Sequence, residues 1–299
     1  MNTETPRVNP YLAVLLGVAA LSTASILVKL ASAPPLVVAF YRLGFTTLLL
    51  SPFALNAQGR RELSSVSRCD LAWAALAGTF LALHFAVWIT SLQFTSVASS
   101  TVLVTLQPLF VLSGGFLVLK ERVGQRALLG AGICLVGSLL IGLNDFRIGG
   151  EALYGDLLAF SGAFFVAVYV MIGRRLRMRI SLFPYVFTVY GAAAVVLLAL
   201  ALGSGTALYP YPPLDWVWFL GLAVLPTILG HTVFNWALRY VRAAVVSVSV
   251  LGEPVGASIL AYFIFGEVPG VLQLMGGAVI IGGLSLFIGA AERDEEKQE

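Results

Sequence analysis

Ten apolar blocks, each about as long as a bilayer is thick, constrain this chain more than any other feature. A helix needs about 20 residues to cross the hydrocarbon core. Blocks of that length fall at residues 11–31, 35–55, 71–92, 97–119 and 126–143, then at 153–172, 183–202, 216–238, 243–265 and 271–290. Joints as short as 93–96 and 239–242 leave room only for tight turns between antiparallel helices. The expected fold is therefore an all-α polytopic membrane protein with ten transmembrane helices. Composition agrees: only 11% of the 299 residues are charged, against about 25% in an ordinary soluble domain.

Other classes find little support. The chain shows no P-loop and no dinucleotide fingerprint, and its glycine clusters lie inside apolar blocks. Cys69 and Cys134 have the spacing of neither a metal site nor a disulfide framework. No carboxylate dyad or nucleophile–base pair marks an intramembrane enzyme. We therefore expect a non-enzyme with no cofactor, no metal and no nucleic-acid partner. Ala31-Ser32-Ala33 would suit a signal peptidase, but Arg7 is the lone flanking base and the apolar run is long for a signal. Residues 11–31 are read as the first span.

Basic residues accumulate in cytoplasmic loops. With the N-terminus inside, inner segments hold Arg60, Arg61 and Arg68; Lys120, Arg122 and Arg126; Arg174, Arg175, Arg177 and Arg179; Arg239 and Arg242; and Arg7, Arg293 and Lys297. That is fifteen of the 18 Lys and Arg residues. The outer segments hold Arg147 and the acids Asp145, Glu151, Asp156, Asp215 and Glu267. Both termini are expected to be cytoplasmic, in a bacterial inner membrane.

The chain also repeats itself. Gln107-Pro108 lies in the middle of the fourth block and Glu253-Pro254 in the middle of the ninth, 146 residues later. The same offset pairs Leu92 with Leu238, Phe94 with Tyr240, Ala98 with Ala244 and Glu121 with Glu267. Each unit has five spans, so the second enters the membrane with opposite polarity. The expected organisation is two inverted five-helix repeats, 1–143 and 153–291, joined by an outer loop at 144–152 and followed by an acidic tail at 292–299. Inverted repeats are common in secondary transporters, whose substrates bind near the midplane.

In the first half, the segment from Pro35 to Arg42, the 92–98 joint with Pro108, and Lys120-Glu121-Arg122 followed by the glycine-rich 130–137 stretch form a recognisable series. In the second half the series is the segment from Asn235 to Tyr240, Glu253-Pro254 and Gly266-Glu267. Each half resembles an EamA domain of the drug/metabolite transporter superfamily. The resemblance implies a ten-helix exporter of metabolites, often amino acids. Within that superfamily the chain looks like the YddG-like exporters of aromatic amino acids. Its partners would be a small-molecule substrate (an amino acid or metabolite), the lipid bilayer and a candidate coupling proton.

Polar groups inside spans are costly and usually face the bundle interior. Gln107 and Glu253 each lie about ten residues into a span, near the midplane at about 1.5 Å per residue. Pro108 and Pro254 beside them are candidate helix kinks. Glu253 could bind a substrate ammonium or carry a proton; a structural hydrogen bond or ion pair is the alternative. His84, Trp88 and Ser91 share a helix face, suited either to a substrate with charge and an apolar side chain or to packing. Arg42 lies deep in the second span, poised for a substrate carboxylate or a carboxylate of the protein. Tyr41 points about 100° away from it. Lys29 is close enough to the interface to snorkel. Phe165 and Tyr169, one turn apart, are candidate pocket walls or packing residues. His231 lies near Asn235 and Trp236 at the inner end of the eighth span, with Trp236 suited to an interfacial belt.

Overall fold

The computed structural model describes residues 6, 8–121, 123–143 and 150–296, with the side chains of 143 and 294–296 outside the description. The expectations placed on Arg7, Arg122, Asp145, Arg147 and Lys297, and on the joining loop as far as 149, lie outside these residues. The described chain is helical, with no strand, and contains ten helices long and apolar enough to span a membrane. They are α1 Pro10–Leu30, α2 Pro35–Ala54, α3 Arg68–Ser91, α4 Val97–Leu119, α5 Gln125–Gly142, α6 Gly150–Arg177, α7 Leu182–Gly203, α8 Pro213–Ala237, α9 Ala243–Phe265 and α10 Val271–Arg293. A short helix, Ala57–Ser65, lies between α2 and α3. The helix of α10 runs past residue 290 to Glu296, and α6 continues past residue 172 to Arg177. Arginines of this last turn reach carbonyls of neighbouring segments, so the helix stays ordered beyond its apolar stretch.

The outside of the bundle is apolar and the inside carries charge, the reverse of a soluble protein. Leu16, Leu48, Val195, Leu117 and Phe263 are exposed, whereas Arg42, His84, Gln107 and Glu253 are buried. A bilayer tolerates this arrangement because the polar groups can face one another away from lipid.

Four spans are not continuous α-helices. Helix α4 breaks at Thr105 and Leu106 and restarts at Gln107, with Pro108 in its new first turn. Helix α9 passes through a 3-10 turn at Val250–Gly252 and restarts at Glu253 with Pro254. Proline has no N–H to continue the ladder, so each helix begins again where that missing donor costs nothing. Helix α1 breaks at Ser22 and Thr23, where the Ser22 hydroxyl donates to Val18 O (2.9 Å) and Glu253 O (3.3 Å). The broken turns of α1 and α9 thus meet. In α8, residues Ala223–Thr232 around Pro226 are wound as a π-helix.

Helices α4 and α9 also end alike. Lys120 (φ 58°) and Gly266 (φ 69°) are left-handed caps. The next amide reaches back six residues, from Glu121 N to Gly115 O (3.0 Å) and from Glu267 N to Ala261 O (3.3 Å). Each closure is one residue wider than a Schellman turn. The first helix makes it with lysine in a conformation that favours glycine.

Helices α5 and α10 cross with backbone against backbone. A Cβ on Gly137 would lie 2.7 Å from Gly276 O, and one on Gly276 would lie 2.6 Å from Gly137 O. Likewise, a Cβ on Gly283 would meet Gly130 O at 3.0 Å, and Cys134 Sγ approaches Ile280 O at 3.6 Å. Only glycine permits so close an antiparallel approach.

Candidate functional site

Breaks and prolines concentrate where α1, α4, α8 and α9 converge with α2, α3 and α6. A cavity of about 40 Å³ lies there, lined among others by Arg42, His84, Phe85, Trp88, Gln107, Tyr169, His231, Asn235 and Glu253. As space for water centres, that volume holds a few waters at most.

Arg42 is fully buried on α2. Its Nε donates to Thr227 Oγ1 (2.8 Å), and Thr227, in the π-helical stretch of α8, donates to Leu222 O (2.7 Å). The guanidinium carbon stands 4.1 Å from the Phe85 ring centroid, a distance at which the ring face attracts a cation. Arg42 Nη1 and Nη2 have no hydrogen-bond partner among the described residues. Glu253, the first residue of the restarted α9, is near enough to interact electrostatically with Arg42. The two make no direct ion pair among the described residues. The two groups therefore share one cavity without pairing with each other.

Histidine and amide groups surround these charges. His84 Nδ1 lies 2.9 Å from Gly162 O. A carbonyl only accepts, so Nδ1 carries the proton and Nε2 of the neutral ring is left as an acceptor. The His84 and Trp88 rings are nearly parallel, 7° apart in plane and 6.1 Å between centroids. Trp88 Nε1, Gln107 Oε1 and Asn235 Oδ1 also have no partner among the described residues. Asn235 Nδ2 donates to Tyr169 OH (2.5 Å) and His231 O (2.8 Å). His231 meets Phe85 edge-on at 5.5 Å. Unused donors on Arg42 and Trp88 thus face unused acceptors on Glu253, Gln107, Asn235 and His84, within walls such as Phe85 and Phe234.

Of the residues singled out in the sequence, Arg42, His84, Trp88, Gln107, Tyr169 and Glu253 are brought together in this cavity. Ser91 and Phe165 are not. The Ser91 hydroxyl donates to Trp88 O (2.6 Å) and meets Ser100 Oγ (2.7 Å), joining α3 to α4. Phe165 packs on Phe80 (6.1 Å) away from the cavity. Pro108 and Pro254 sit one residue beyond the cavity lining. Tyr41 turns away, stacked on Phe219 at 5.0 Å. Trp236 packs on Tyr240 at 4.9 Å. Thr227 and Tyr190 were not foreseen: Thr227 anchors Arg42, and the Tyr190 hydroxyl meets Thr232 Oγ1 (3.1 Å). His231 and Asn235 were visible as polar residues in a span but had not been placed with the others.

The two ends of the bundle differ. At the arginine-rich end, Arg174 donates to Glu121 (2.9 Å) and Leu238 O (2.6 Å), and Ala243 N, opening α9, donates to Glu121 Oε2 (3.2 Å). Arg177 bonds Asn235 O (2.9 Å) and Ile180 O, and Glu62 receives both Ser181 N (2.6 Å) and Ser181 Oγ (2.5 Å). At the opposite end a vestibule of about 630 Å³ opens. Its deep wall includes Ile89 and Pro254, immediate neighbours of the cavity residues Trp88 and Glu253. Lys29 and Glu267 pair at 2.8 Å at this end, half-exposed at 45% and 52%.

A bundle with an apolar exterior, a charged central cavity and a vestibule ending beside it has the organisation of a membrane carrier for small molecules. The pattern of the EamA-like transporter family matches residues 9–143 and again 153–289, and the chain belongs to that family. A protein of Archaeoglobus fulgidus named as an uncharacterised transporter is 30% identical over 277 residues, covering 91% of this chain and 93% of that one. The pseudopaline exporter CntI of Pseudomonas aeruginosa is 27% identical over 273 residues, covering 90% and 93%. One crystal structure matches with a TM-score of 0.77 at 19% identity, covering 96% of this chain and 98% of that one, which speaks to the fold.

Proposed function

We propose that this transporter exports zwitterionic amino acids with aromatic or other large apolar side chains, from a bacterial cytoplasm across the inner membrane. The carrying observation is the unpaired Arg42 and Glu253 in one cavity. Arg42 Nη1 and Nη2 suit a substrate carboxylate in the bidentate manner. Glu253, Gln107 Oε1 and Asn235 Oδ1 suit an ammonium, and Trp88 and Phe85 suit the side chain. Proteoliposome counterflow with labelled tryptophan, phenylalanine, leucine, lysine and glutamate tests this. Flux of the aromatic and aliphatic zwitterions, lost in Arg42→Ala and weakened in Glu253→Gln, is expected. A panel in which no amino acid moves would sink the assignment. The similarity to a named pseudopaline exporter supports a second reading, in which the substrate is a larger metabolite; transport of such a solute with no amino-acid flux would favour it.

The mechanism we infer is alternating access by two inverted repeats, with both termini on the cytoplasmic side. Reciprocal glycine contacts between α5 and α10 support it: Gly130, Cys134 and Gly137 lie 146 residues before Gly276, Ile280 and Gly283, which they meet in antiparallel order. So do the matching left-handed closures of α4 and α9. In this conformation Glu121 caps α9 at Ala243 and seals the arginine-rich end. The counterpart of Ala243 at the same offset is Val97, which opens α4 and lines the vestibule with Glu267. Closure of the vestibule then brings the Glu267 carboxylate to the Val97 amide while the Glu121 contacts release.

A coupling proton is assigned to Glu253. Wild-type flux is expected to respond to an imposed proton gradient, and Glu253→Gln to lose that response. A variant that transports normally with the response intact removes Glu253 from this role.

A further inference from the structure

The four arginines at the end of α6 face two ways. Arg174 and Arg177 turn inward and bond the segments that seal the bundle. Arg175 and Arg179, one turn apart, are exposed on the outer face. Arg175 has no partner among the described residues, and Arg179 makes only a 3.5 Å contact with Asp70 from a side chain 60% exposed. Below this pair a groove of about 350 Å³ runs between α3, α4 and α6, with Trp73, Leu76, Phe80, Val168 and Met171 among its walls.

We propose that this groove binds an anionic diacyl phospholipid, with one acyl chain in the groove and the phosphate on Arg175 and Arg179. Three observations carry this. The walls are apolar and open outward, with Trp73, Leu76 and Val118 exposed where the bundle faces lipid. The groove extends from Cys69 to Phe80 along α3, about 16 Å at 1.5 Å per residue. One leaflet of a hydrocarbon core about 30 Å thick is about the same depth. The two exposed guanidinium groups stand at the headgroup end, and the opposing acid at that rim, Asp70, is already occupied by the Ser67 hydroxyl (2.9 Å) and by Arg179. Basic pockets between transmembrane helices commonly hold anionic headgroups. Arg174 and Arg175 are neighbours in sequence, yet one seals the bundle from inside while the other receives lipid outside.

The test uses the full-length protein in detergent, titrated with palmitoyl-oleoyl phosphatidylglycerol or the matching phosphatidylcholine and followed by native mass spectrometry. One phosphatidylglycerol retained in preference to phosphatidylcholine is expected. Arg175→Gln with Arg179→Gln should weaken it about thirtyfold, since each basic group near an anionic headgroup contributes about a factor of five. Leu76→Trp, which fills the groove, should lower retention of both lipids. Cys69 is the exposed cysteine of the pair and lies in the groove, whereas Cys134 is buried. Its alkylation should therefore slow with phosphatidylglycerol and not with phosphatidylcholine. Equal retention of the two lipids, unchanged affinity in the double arginine variant, or Cys69 protection that follows dimer formation without lipid would each overturn the proposal. These readouts involve no transport, so they stand apart from the substrate assignment.

Discussion

The two ends of the bundle are built from the same part and held differently. Each has a long helix finished by a left-handed cap followed by glutamate: Lys120-Glu121 on α4 and Gly266-Glu267 on α9. At the arginine-rich end the glutamate is 15% exposed and engages both Arg174 and the first amide of α9. At the other end it is 52% exposed and, among the described residues, its side chain holds only Lys29. The difference lies in the partners and in their access to water, not in the shape of the cap. A pair screened by solvent contributes about 0–1 kcal/mol, whereas breaking a buried pair costs about 3–5 kcal/mol. The Glu121 pair, partly shielded, falls between at about 2 kcal/mol.

The most severe test joins the open end artificially. Val97→Cys with Glu267→Cys, in a Cys69→Ser background, should cross-link under oxidation, stop transport and recover with reductant. Free transport through the cross-linked form would break the equivalence of the two ends. Next in size is Glu121→Gln. Losing about 2 kcal/mol from the sealed state shifts the ratio of sealed to open protein about thirtyfold. Maleimide labelling of Leu238→Cys, in the same Cys69→Ser background, should speed up accordingly, and no change would show that the seal rests on Arg177 and Glu62. Lys120→Gly sharpens the comparison of caps. Relieving a left-handed lysine should stabilise the protein by about 1 kcal/mol, read as a higher melting temperature. The smallest effect is expected from Lys29→Gln: about 0.5 kcal/mol, a twofold change at most, measured as melting temperature and initial flux.

Much of this was legible in the sequence for identifiable reasons. Length and apolarity mark a span whatever surrounds it, so all ten helices were countable. Prolines mark the breaks at Gln107 and Glu253 because the missing donor acts locally. Arg42 stood out because a charge in a span must find interior company. The rest depended on rotation about helix axes. Ser91 shares a face with Trp88, yet its hydroxyl is drawn to Ser100 on α4. Phe165 and Tyr169 are one turn apart, and only Tyr169 reaches the cavity. Thr227 gave no signal, because a threonine in an apolar block usually bonds its own helix and does so here as well. Arg174 to Arg179 read as a single basic cluster, whereas α6 continues as far as Arg177 and turns its arginines to different faces. The break of α1 at Ser22 has no proline to announce it.

The glycine crossing of α5 and α10 has a kinematic consequence. Number the residues there by the 146-residue offset and exchange the halves: Gly137 against Gly276 becomes Gly283 against Gly130, and Cys134 against Ile280 becomes itself. A set of contacts mapped onto itself by that exchange is left unchanged by it. Under the alternating access proposed above, the mouths swap roles when the halves trade conformations, but this crossing has nothing to trade. In that mechanism it is the axle, and it can be as tight as backbone atoms allow.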